Sequence, residues 1–165
     1  MVTCTNCVVA FDTNSYTEDY SAITYASFEN CIIGDIGKDS FHSGLTFTNC
    51  IGLIIGGDEG LGDVTTFEGA SEESTGNIAG INQEEVFKTF HTSDWNGALL
   101  DNNETFELTE TAAATYLGTD GTQVGMHGGS VPFSRTIYPR ITKFEVAPKA
   151  VDGKVKVNVE VNGGE

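Results

Sequence analysis

Four residues in one short stretch carry side chains that proton abstraction from a sugar acid requires. They are Asp35, Lys38, Asp39 and His42, on a loop and the strand that follows it. Elimination at a uronate needs a cation to neutralise the carboxylate and a base, often Lys or Arg, to take the α-proton. Lys38 is the only Lys or Arg within residues 1–87, which counts against this chemistry. A solvated loop with a local ion pair is the simpler interpretation.

A second candidate is a calcium site at Asp58, Glu59 and Asp63, in a glycine-rich segment. Carboxylates are the hard oxygen ligands that Ca²⁺ prefers, but the spacing matches no EF-hand loop, and an ordinary acidic turn is the alternative. Glycoside hydrolysis needs two carboxylates about 5 to 10 Å apart. These three, with Asp35 and Asp39, allow so many pairings that none stands out. We therefore commit to no catalytic residue, and calcium is the one cofactor that the sequence suggests.

Trp95 is the best candidate for stacking against a sugar ring, and its alternative role is that of an apolar anchor. The three histidines at 42, 91 and 127 are isolated in sequence. None has the spacing of metal ligands, and no Cys-x-x-Cys pair with a nearby His indicates zinc.

Three segments repeat one another and indicate the elements that position these side chains. Residues 2–9, 26–33 and 45–52 each read apolar, hydroxyl, bulky apolar, polar, Asn, Cys and aliphatic, apart from Cys4 at a bulky position and Gly52 at the end. The Asn-Cys pairs lie 24 residues apart (7 to 31) and then 19 apart (31 to 50). Such a period is typical of one coil of a stacked solenoid.

The repeat predicts strands whose side chains alternate inward and outward, interrupted at the asparagine. Asn tolerates a left-handed backbone better than other non-glycine residues, so Asn6, Asn30 and Asn49 are predicted corners that stack into an amide ladder. Cys7, Cys31 and Cys50 then form an inner column of reduced thiols. We predict an all-β chain: a right-handed parallel β-helix of about three coils. A β-sandwich with coincidental Asn-Cys pairs is the alternative.

The remaining chain is predicted to close the stack. Residues 1–134 would hold the coils and an irregular closing segment. Within that segment, residues 68–77 are polar enough for a mobile surface loop. Residues 109–114 could form a helical turn. Residues 135–165 would form a terminal strand pair, with Asp152-Gly153 as its turn.

The stretch from Gly118 to Gly129, Gly-Thr-Asp-Gly-Thr-Gln-Val-Gly-Met-His-Gly-Gly, resembles the closing segment of secreted, pectate-lyase-like right-handed β-helix proteins common in Bacteroidetes. Thr111-Ala112-Ala113 replaces the usual Ser-Pro-Ala of that group, and Gln123 replaces a common Asp. The resemblance implies an extracellular or cell-surface protein and a structural motif, not a catalytic one. Its structural residues would be Gly118, Asp120, Gly121, Gly125, Gly128 and Gly129.

The net charge of the chain excludes some classes of binding partner. The formal net charge is −16; residues 1–134 hold 20 acidic and two basic side chains, and residues 135–165 hold six basic and four acidic ones. Such a negative chain repels nucleic acid and anionic membranes. No stretch approaches the roughly 18 apolar residues of a membrane span.

Because residue 1 leads directly into a repeat, we expect a fragment whose partners are upstream coils of the same protein and extracellular polysaccharide. The function expected is a non-catalytic part of a polysaccharide-binding or -processing protein, and the alternative is an adhesin-like spacer.

Overall fold

A computed structural model describes residues 2–10, 25–34, 44–56, 63–91, 104–133, 140–146, 154–155 and 157–162. The chain divides into two compact units, Met1–Phe133 and Ser134–Glu165, and each is treated by itself. The described residues are mostly strand with few helices. The β-rich class that the sequence predicts is thus confirmed.

In the first unit, each repeat supplies two strands separated by its asparagine. The first strands are β1 (Val2–Thr5), β3 (Ala26–Glu29) and β5 (Leu45–Thr48), which form a parallel sheet in the order β1-β3-β5. The second strands are β2 (Val8–Ala10), β4 (Ile32–Gly34) and β6 (Ile51–Ile54). They form a second parallel sheet, β2-β4-β6-β7, with β7 (Ile78–Asn82).

The strand register equals the sequence alignment of the repeats. Cys4 pairs with Phe28 and Phe28 with Phe47, so equivalent positions lie side by side. Val8 pairs with Ile32 and Ile32 with Ile51 in the second sheet. In-register stacking places like residues in contact, and the rings of Phe28 and Phe47 stack with centroids 5.0 Å apart.

The chain turns between the two sheets at residues with positive φ. Asn6, Asn30 and Asn49 have φ of 54°, 56° and 48°, as the left-handed preference of asparagine predicts. Gly76 has φ of 70° and occupies the equivalent place beside Asn49, because Thr75 bridges Thr48 and Ile78 pairs with Ile51. Residues 75–78 therefore supply a fourth corner without the Asn-Cys pair.

The second sheet is largely buried on both faces at its central strands, β4 and β6. Cys31, Ile33 and Cys50 pack with the inward side chains of the first sheet, including Phe28 and Phe47. The alternate residues of the second sheet belong to a different hydrophobic cluster, in which Ile32, Ile51 and Leu53 pack with aromatic and aliphatic residues of the closing segment. Successive side chains of a strand point to opposite faces, so this sheet separates the two clusters.

One further segment pairs with the edge of the first sheet, and two short helices lie beyond it in sequence. Residues 71–75 pair with β5 through Ser71 N–H to Leu45 O and Thr75 N–H to Phe47 O, both 2.9 Å. The sequence predicted a mobile loop here, and the structure instead shows chain bonded to the sheet edge. Two short helices follow, α1 (Gln83–Val86) and α2 (Glu110–Thr115). The Thr109 side chain caps α2 by accepting the Ala112 N–H, which satisfies one otherwise unpaired donor.

The second unit is an antiparallel pair of strands, β8 (Arg140–Val146) and β9 (Val157–Asn162). Phe144 pairs with Val159 and Val146 with Val157, and all four side chains are exposed. Lys143 lies 3.4 Å from a Glu145 carboxylate oxygen and 3.8 Å from a Glu160 oxygen. The predicted turn at Asp152-Gly153 lies outside the described residues.

Candidate functional site

Residues 118–129, the motif within the predicted closing segment, contact the repeats at two asparagine corners. Asn30 is 2% exposed, and its Oδ1 accepts the Thr119 N–H at 2.9 Å while its Nδ2 donates to Thr119 Oγ1 at 3.3 Å. Thr119 Oγ1 also donates to a Glu29 carboxylate oxygen at 2.6 Å. Gly125 N–H donates to the Asn30 carbonyl at 2.8 Å. The Asn30 amide is thus bonded to the closing segment, rather than to the other asparagines as a ladder requires.

Each corner asparagine is also contacted by a glycine. Gly118 lies against Asn30, Gly129 against Asn6 and Gly76 against Asn49, so closely that a Cβ at any of these glycines would overlap the asparagine side chain. Glycine is required at these places because the backbone approaches a side chain directly. The contacts with Asn30 and Asn6 come from the motif that carries the sequence resemblance.

The motif is held in shape by a turn centred on Asp120. Asp120 Oδ1 accepts the Thr122 N–H at 2.9 Å and its hydroxyl at 2.8 Å. These two hydrogen bonds lower the pKa of the Asp120 carboxyl. Thr122 Oγ1 also accepts the Gly129 N–H at 2.6 Å, and Thr122 O accepts the Gly118 N–H at 2.7 Å. The Thr122 bonds bring the two ends of the motif together, so that both ends reach asparagine corners.

His127 anchors the same motif from its other side. Its Nε2 lies 2.6 Å from the Thr105 carbonyl oxygen and its Nδ1 3.1 Å from that of Phe133. The ring also makes an edge contact with the Phe133 ring. Both ring nitrogens lie against backbone carbonyl oxygens, so His127 ties residues 105 and 133 to the motif.

All four cysteines are free thiols. Cys7, Cys31 and Cys50 directly follow the three corner asparagines, whereas Cys4 lies within β1 and pairs with Phe28. Cys31 and Cys50 are buried, whereas Cys4 and Cys7 are half-buried. Hydrogen bonding to Cys50, followed by burial, raises the pKa of Cys31. Burial, followed by the charges of Cys31 and Cys4, raises the pKa of Cys7 to about 11. A thiol with a raised pKa is a poor nucleophile at neutral pH, so Cys7 and Cys31 act as packing side chains.

One cavity of about 260 Å³ lies where β6 and β7 end. It is lined by residues 54–56 and 82–85, including the exposed carboxylates of Glu84 and Glu85. Asn82 Nδ2 donates to Glu85 Oε1 at 3.0 Å, and the buried Gln83 donates to the Ile55 carbonyl at 2.7 Å. The sequence analysis did not identify these residues as a site. A polar run such as residues 82–85 is equally typical of the start of an ordinary surface helix.

The cavity lacks the geometry of a glycosidase site. Its two carboxylates are neighbours in sequence on a one-turn helix, and side chains at i and i+1 diverge around a helix. Hydrolysis needs carboxylates that face each other across the sugar. Its lining, taken over the described residues, holds no Lys, Arg, His or Cys. The arrangement offers hydrogen-bond acceptors, but no acid–base pair.

Asp63 is the one member of the candidate calcium site within the described residues. Its Oδ1 accepts the N–H groups of Ile55, at 2.8 Å, and Gly56, at 3.2 Å. That carboxylate therefore closes the turn after β6. Within the described ranges, no group of three or more His, Cys, Asp or Glu is arranged to hold a metal ion. Calcium binding at Asp58, Glu59 and Asp63 stays a prediction.

The other candidates from the sequence lie outside the described residues. They are Asp35, Lys38, Asp39 and His42 of the lyase hypothesis, Trp95 of the sugar-stacking hypothesis, and Asp58 and Glu59. No helix in the described part of the chain has the length and apolar character needed to cross a membrane.

Asn77, beside the fourth corner, was missed by the sequence analysis. Its Oδ1 accepts the Cys50 N–H at 2.9 Å and its Nδ2 donates to the Phe47 carbonyl at 2.8 Å. The signal was present, since Thr75-Gly76-Asn77-Ile78 aligns with Thr48-Asn49-Cys50-Ile51. The match is short, because Glu72 and Ser74 stand where the repeats have apolar residues.

Comparison with known proteins adds no relative: no family model, no curated protein and no solved structure matches the chain.

Proposed function

We propose that this chain forms the last coils of a right-handed parallel β-helix together with the segment that closes it. In this proposal the parent is an extracellular protein that binds or processes polysaccharide, and residues 1–165 are structural and non-catalytic. Two parallel sheets joined at positive-φ asparagines, with the register of the repeats, support the β-helix. The sequence resemblance of residues 118–129 supports the extracellular and polysaccharide parts.

The observation that carries the structural role is the outward face of the first sheet. Inward positions such as Phe28 and Phe47 are buried, and the alternating outward positions are small and polar. They are Thr3, Thr5, Ser27, Glu29, Thr46 and Thr48. A site for uronate elimination needs basic groups, and sugar stacking needs aromatic ones. These six described positions hold neither.

The closing role is supported by the aromatic cluster that covers the outer face of the second sheet. Phe87, Phe90 and Phe106 are at most 8% exposed and contact one another with ring centroids 4.6 to 5.8 Å apart. They pack in one cluster with Ile51 and Leu53 of β6. The outer face of the second sheet carries Ile32, Ile51 and Leu53, so it needs such a cover to keep these apolar side chains from water.

The adhesin-like alternative, in which the coils act as a rigid spacer, is favoured by the same uniformly polar face. A glycan-binding measurement distinguishes the spacer role from the polysaccharide-binding role. Binding of the chain to an array of extracellular polysaccharides is measured with and without Ca²⁺. If this chain contributes to polysaccharide binding, we expect it to be retained on the array. Trp95→Ala should weaken that signal, whereas Tyr25→Ala, which removes an aromatic side chain that is 73% exposed, should leave it unchanged. No binding to any glycan would favour the spacer.

A turnover assay tests the structural role itself. The 165-residue chain is incubated with uronate-containing and neutral polysaccharides, and unsaturated products and new reducing ends are measured. We expect no turnover. Turnover that Lys38→Ala abolishes and Lys88→Ala preserves would place a catalytic site in this chain and overturn the proposal. Lys88 is a suitable control because its ammonium only forms an exposed ion pair, 3.2 Å from Glu107. A crystal structure would test the handedness and cross-section of the coils.

A further inference from the structure

Two buried thiols lie side by side where the second sheet begins. Cys31 directly precedes β4 and Cys50 directly precedes β6. The Ile51 N–H donates to the Cys31 carbonyl at 3.0 Å, as parallel pairing of Cys31 with Cys50 requires. Both side chains are fully buried, and their sulfurs are hydrogen-bonded to each other. The two thiols therefore face one another across one step between neighbouring strands.

The surroundings of this thiol pair are apolar. Cys31 and Cys50 belong to a hydrophobic cluster that contains Phe28 and Phe47 and no charged side chain. Backbone carbonyls supply polar contacts, since Cys31 Sγ donates to the Glu29 oxygen at 3.2 Å and Cys50 Sγ to the Phe28 oxygen at 3.4 Å. The negative charge of the Glu29 carboxylate acts on Cys50. A product with a further negative charge would be costly here, whereas a neutral one is tolerated.

The strand spacing disfavours a disulfide between the two thiols. Neighbouring strands lie about 4.8 Å apart, and equivalent side chains of stacked strands point the same way, so the two Cβ atoms are separated by about the same distance. A disulfide needs Cβ atoms roughly 3.5–4.5 Å apart and a dihedral angle of roughly 90° about the sulfur–sulfur bond. Two parallel Cβ–Sγ bonds give a dihedral angle far from that value.

The same spacing fits a metal ion held in line between the two sulfurs. A metal–thiolate bond is about 2.3 Å long, as in zinc sites, so two such bonds in line separate the sulfurs by about 4.6 Å. That separation is close to the roughly 4.8 Å between neighbouring strands. Zn²⁺ itself prefers four ligands, and the described part of the chain holds no group of three or more ligating side chains. The geometry therefore selects a soft ion that is satisfied by two thiolates.

We propose that Cys31 and Cys50 form a buried, two-coordinate site for a soft divalent metal ion, of which Hg²⁺ is the type. The ion forms one bond to each sulfur, and the two thiol protons are released to solvent, so the complex is neutral. Neutrality suits the apolar cluster, whereas a monovalent ion between two thiolates would leave a buried negative charge. The site is independent of the proposed polysaccharide role and goes beyond it.

Binding stabilises the fold. Only the folded chain holds the two sulfurs at the required spacing, and a ligand that binds the folded state preferentially raises its stability. Because both thiols are buried, the ion is added to the unfolded chain before refolding, or the native chain is incubated with it for days.

The test uses the full chain with Cys4→Ala and Cys7→Ala, which leaves Cys31 and Cys50 as its thiols. The chain is refolded with equimolar Hg²⁺ and dialysed against a competing small thiol, and the bound metal is measured by mass spectrometry. We expect about one ion per chain, two sulfur neighbours by X-ray absorption, and a raised Tm. Cys50→Ser in the same background exchanges the sulfur for oxygen, a poor ligand for a soft ion. It should lower the retained metal at least about tenfold and abolish the rise in Tm.

Three results would overturn the proposal. They are loss of the metal from the two-thiol chain, equal retention after Cys50→Ser, and a metal with three or four sulfur neighbours or one that bridges two chains in sedimentation velocity. Zn²⁺ in place of Hg²⁺ should be lost on dialysis, and its retention would contradict the two-coordinate geometry. Circular dichroism checks that each variant is folded, and Cys31→Ser replaces Cys50→Ser if the latter is not.

Discussion

Replacing Gly118 by alanine tests whether the closing segment holds the coils through the asparagine corners. The new Cβ would lie 2.6 Å from Asn30 Cγ and 2.8 Å from both Nδ2 and Oδ1, where ordinary contacts begin near 3.4 Å. Asn30 is buried, and its amide bonds to Thr119 through both polar atoms. It therefore cannot move aside without losing those bonds.

The expected cost follows from these contacts. Overpacking costs about 1–3 kcal/mol, and leaving a buried amide unsatisfied costs about 1–3 kcal/mol. These two costs do not add in full, because displacing Asn30 relieves the overpacking but breaks the hydrogen bonds of its amide. We expect Gly118→Ala to lower the free energy of unfolding by about 3 kcal/mol, a fall in Tm of roughly 6–12 °C. Urea denaturation measures the free energy directly.

Gly121→Ala is the matched control. Gly121 has φ of 76° and nothing within 4 Å of the added Cβ, so this variant has backbone strain without a clash. We expect it to cost about 1–2 kcal/mol, part of which Gly121→Asn recovers.

A double-mutant cycle isolates the clash itself. In an Asn30→Gly background, Gly118→Ala has no side chain to meet and should cost less than about 1 kcal/mol. A cost near zero for Gly118→Ala alone, or an equal cost in both backgrounds, would refute the corner-locking argument.

Three further predictions concern stability and reactivity. Cys31 and Cys50 should resist a thiol reagent in the folded chain and react after unfolding, since both are buried; rapid native labelling, located by mass spectrometry, would contradict this. Asn77→Ala should cost about 1–3 kcal/mol in urea denaturation, because the Cys50 N–H loses its partner, whereas the Phe47 carbonyl keeps the Thr75 N–H. Asp120 has a lowered pKa, so its carboxylate stabilises the fold at neutral pH and loses this effect as pH falls below the ordinary value of 3.8. Asp120→Asn should therefore lower Tm at pH 7 but have little effect near pH 2, and an equal effect at both would contradict it.

The parallel strand pairs of the repeats were predictable because their information is local and repeated. Aligning residues 2–9, 26–33 and 45–52 reproduces the strand register, since parallel in-register stacking places the same position of each coil side by side. The turn at each asparagine follows from the left-handed preference of that one residue type. The helical turn predicted at residues 109–114 and the two strands predicted at residues 141–146 and 154–161 also follow from local pattern, and they match α2, β8 and β9 closely.

The contacts that join the closing segment to the coils were decided by the tertiary structure alone. Thr119 lies 89 residues from Asn30 along the chain, and nothing in either local sequence marks the other as its partner. The same is true of residues 71–75, whose polar side chains indicate a loop although their backbone bonds to β5. Periodicity in the sequence indicates which side chains share a face of the same strand or helix. Pairing between distant segments depends on which backbone groups remain unsatisfied once the coils have stacked, and only the folded chain determines that.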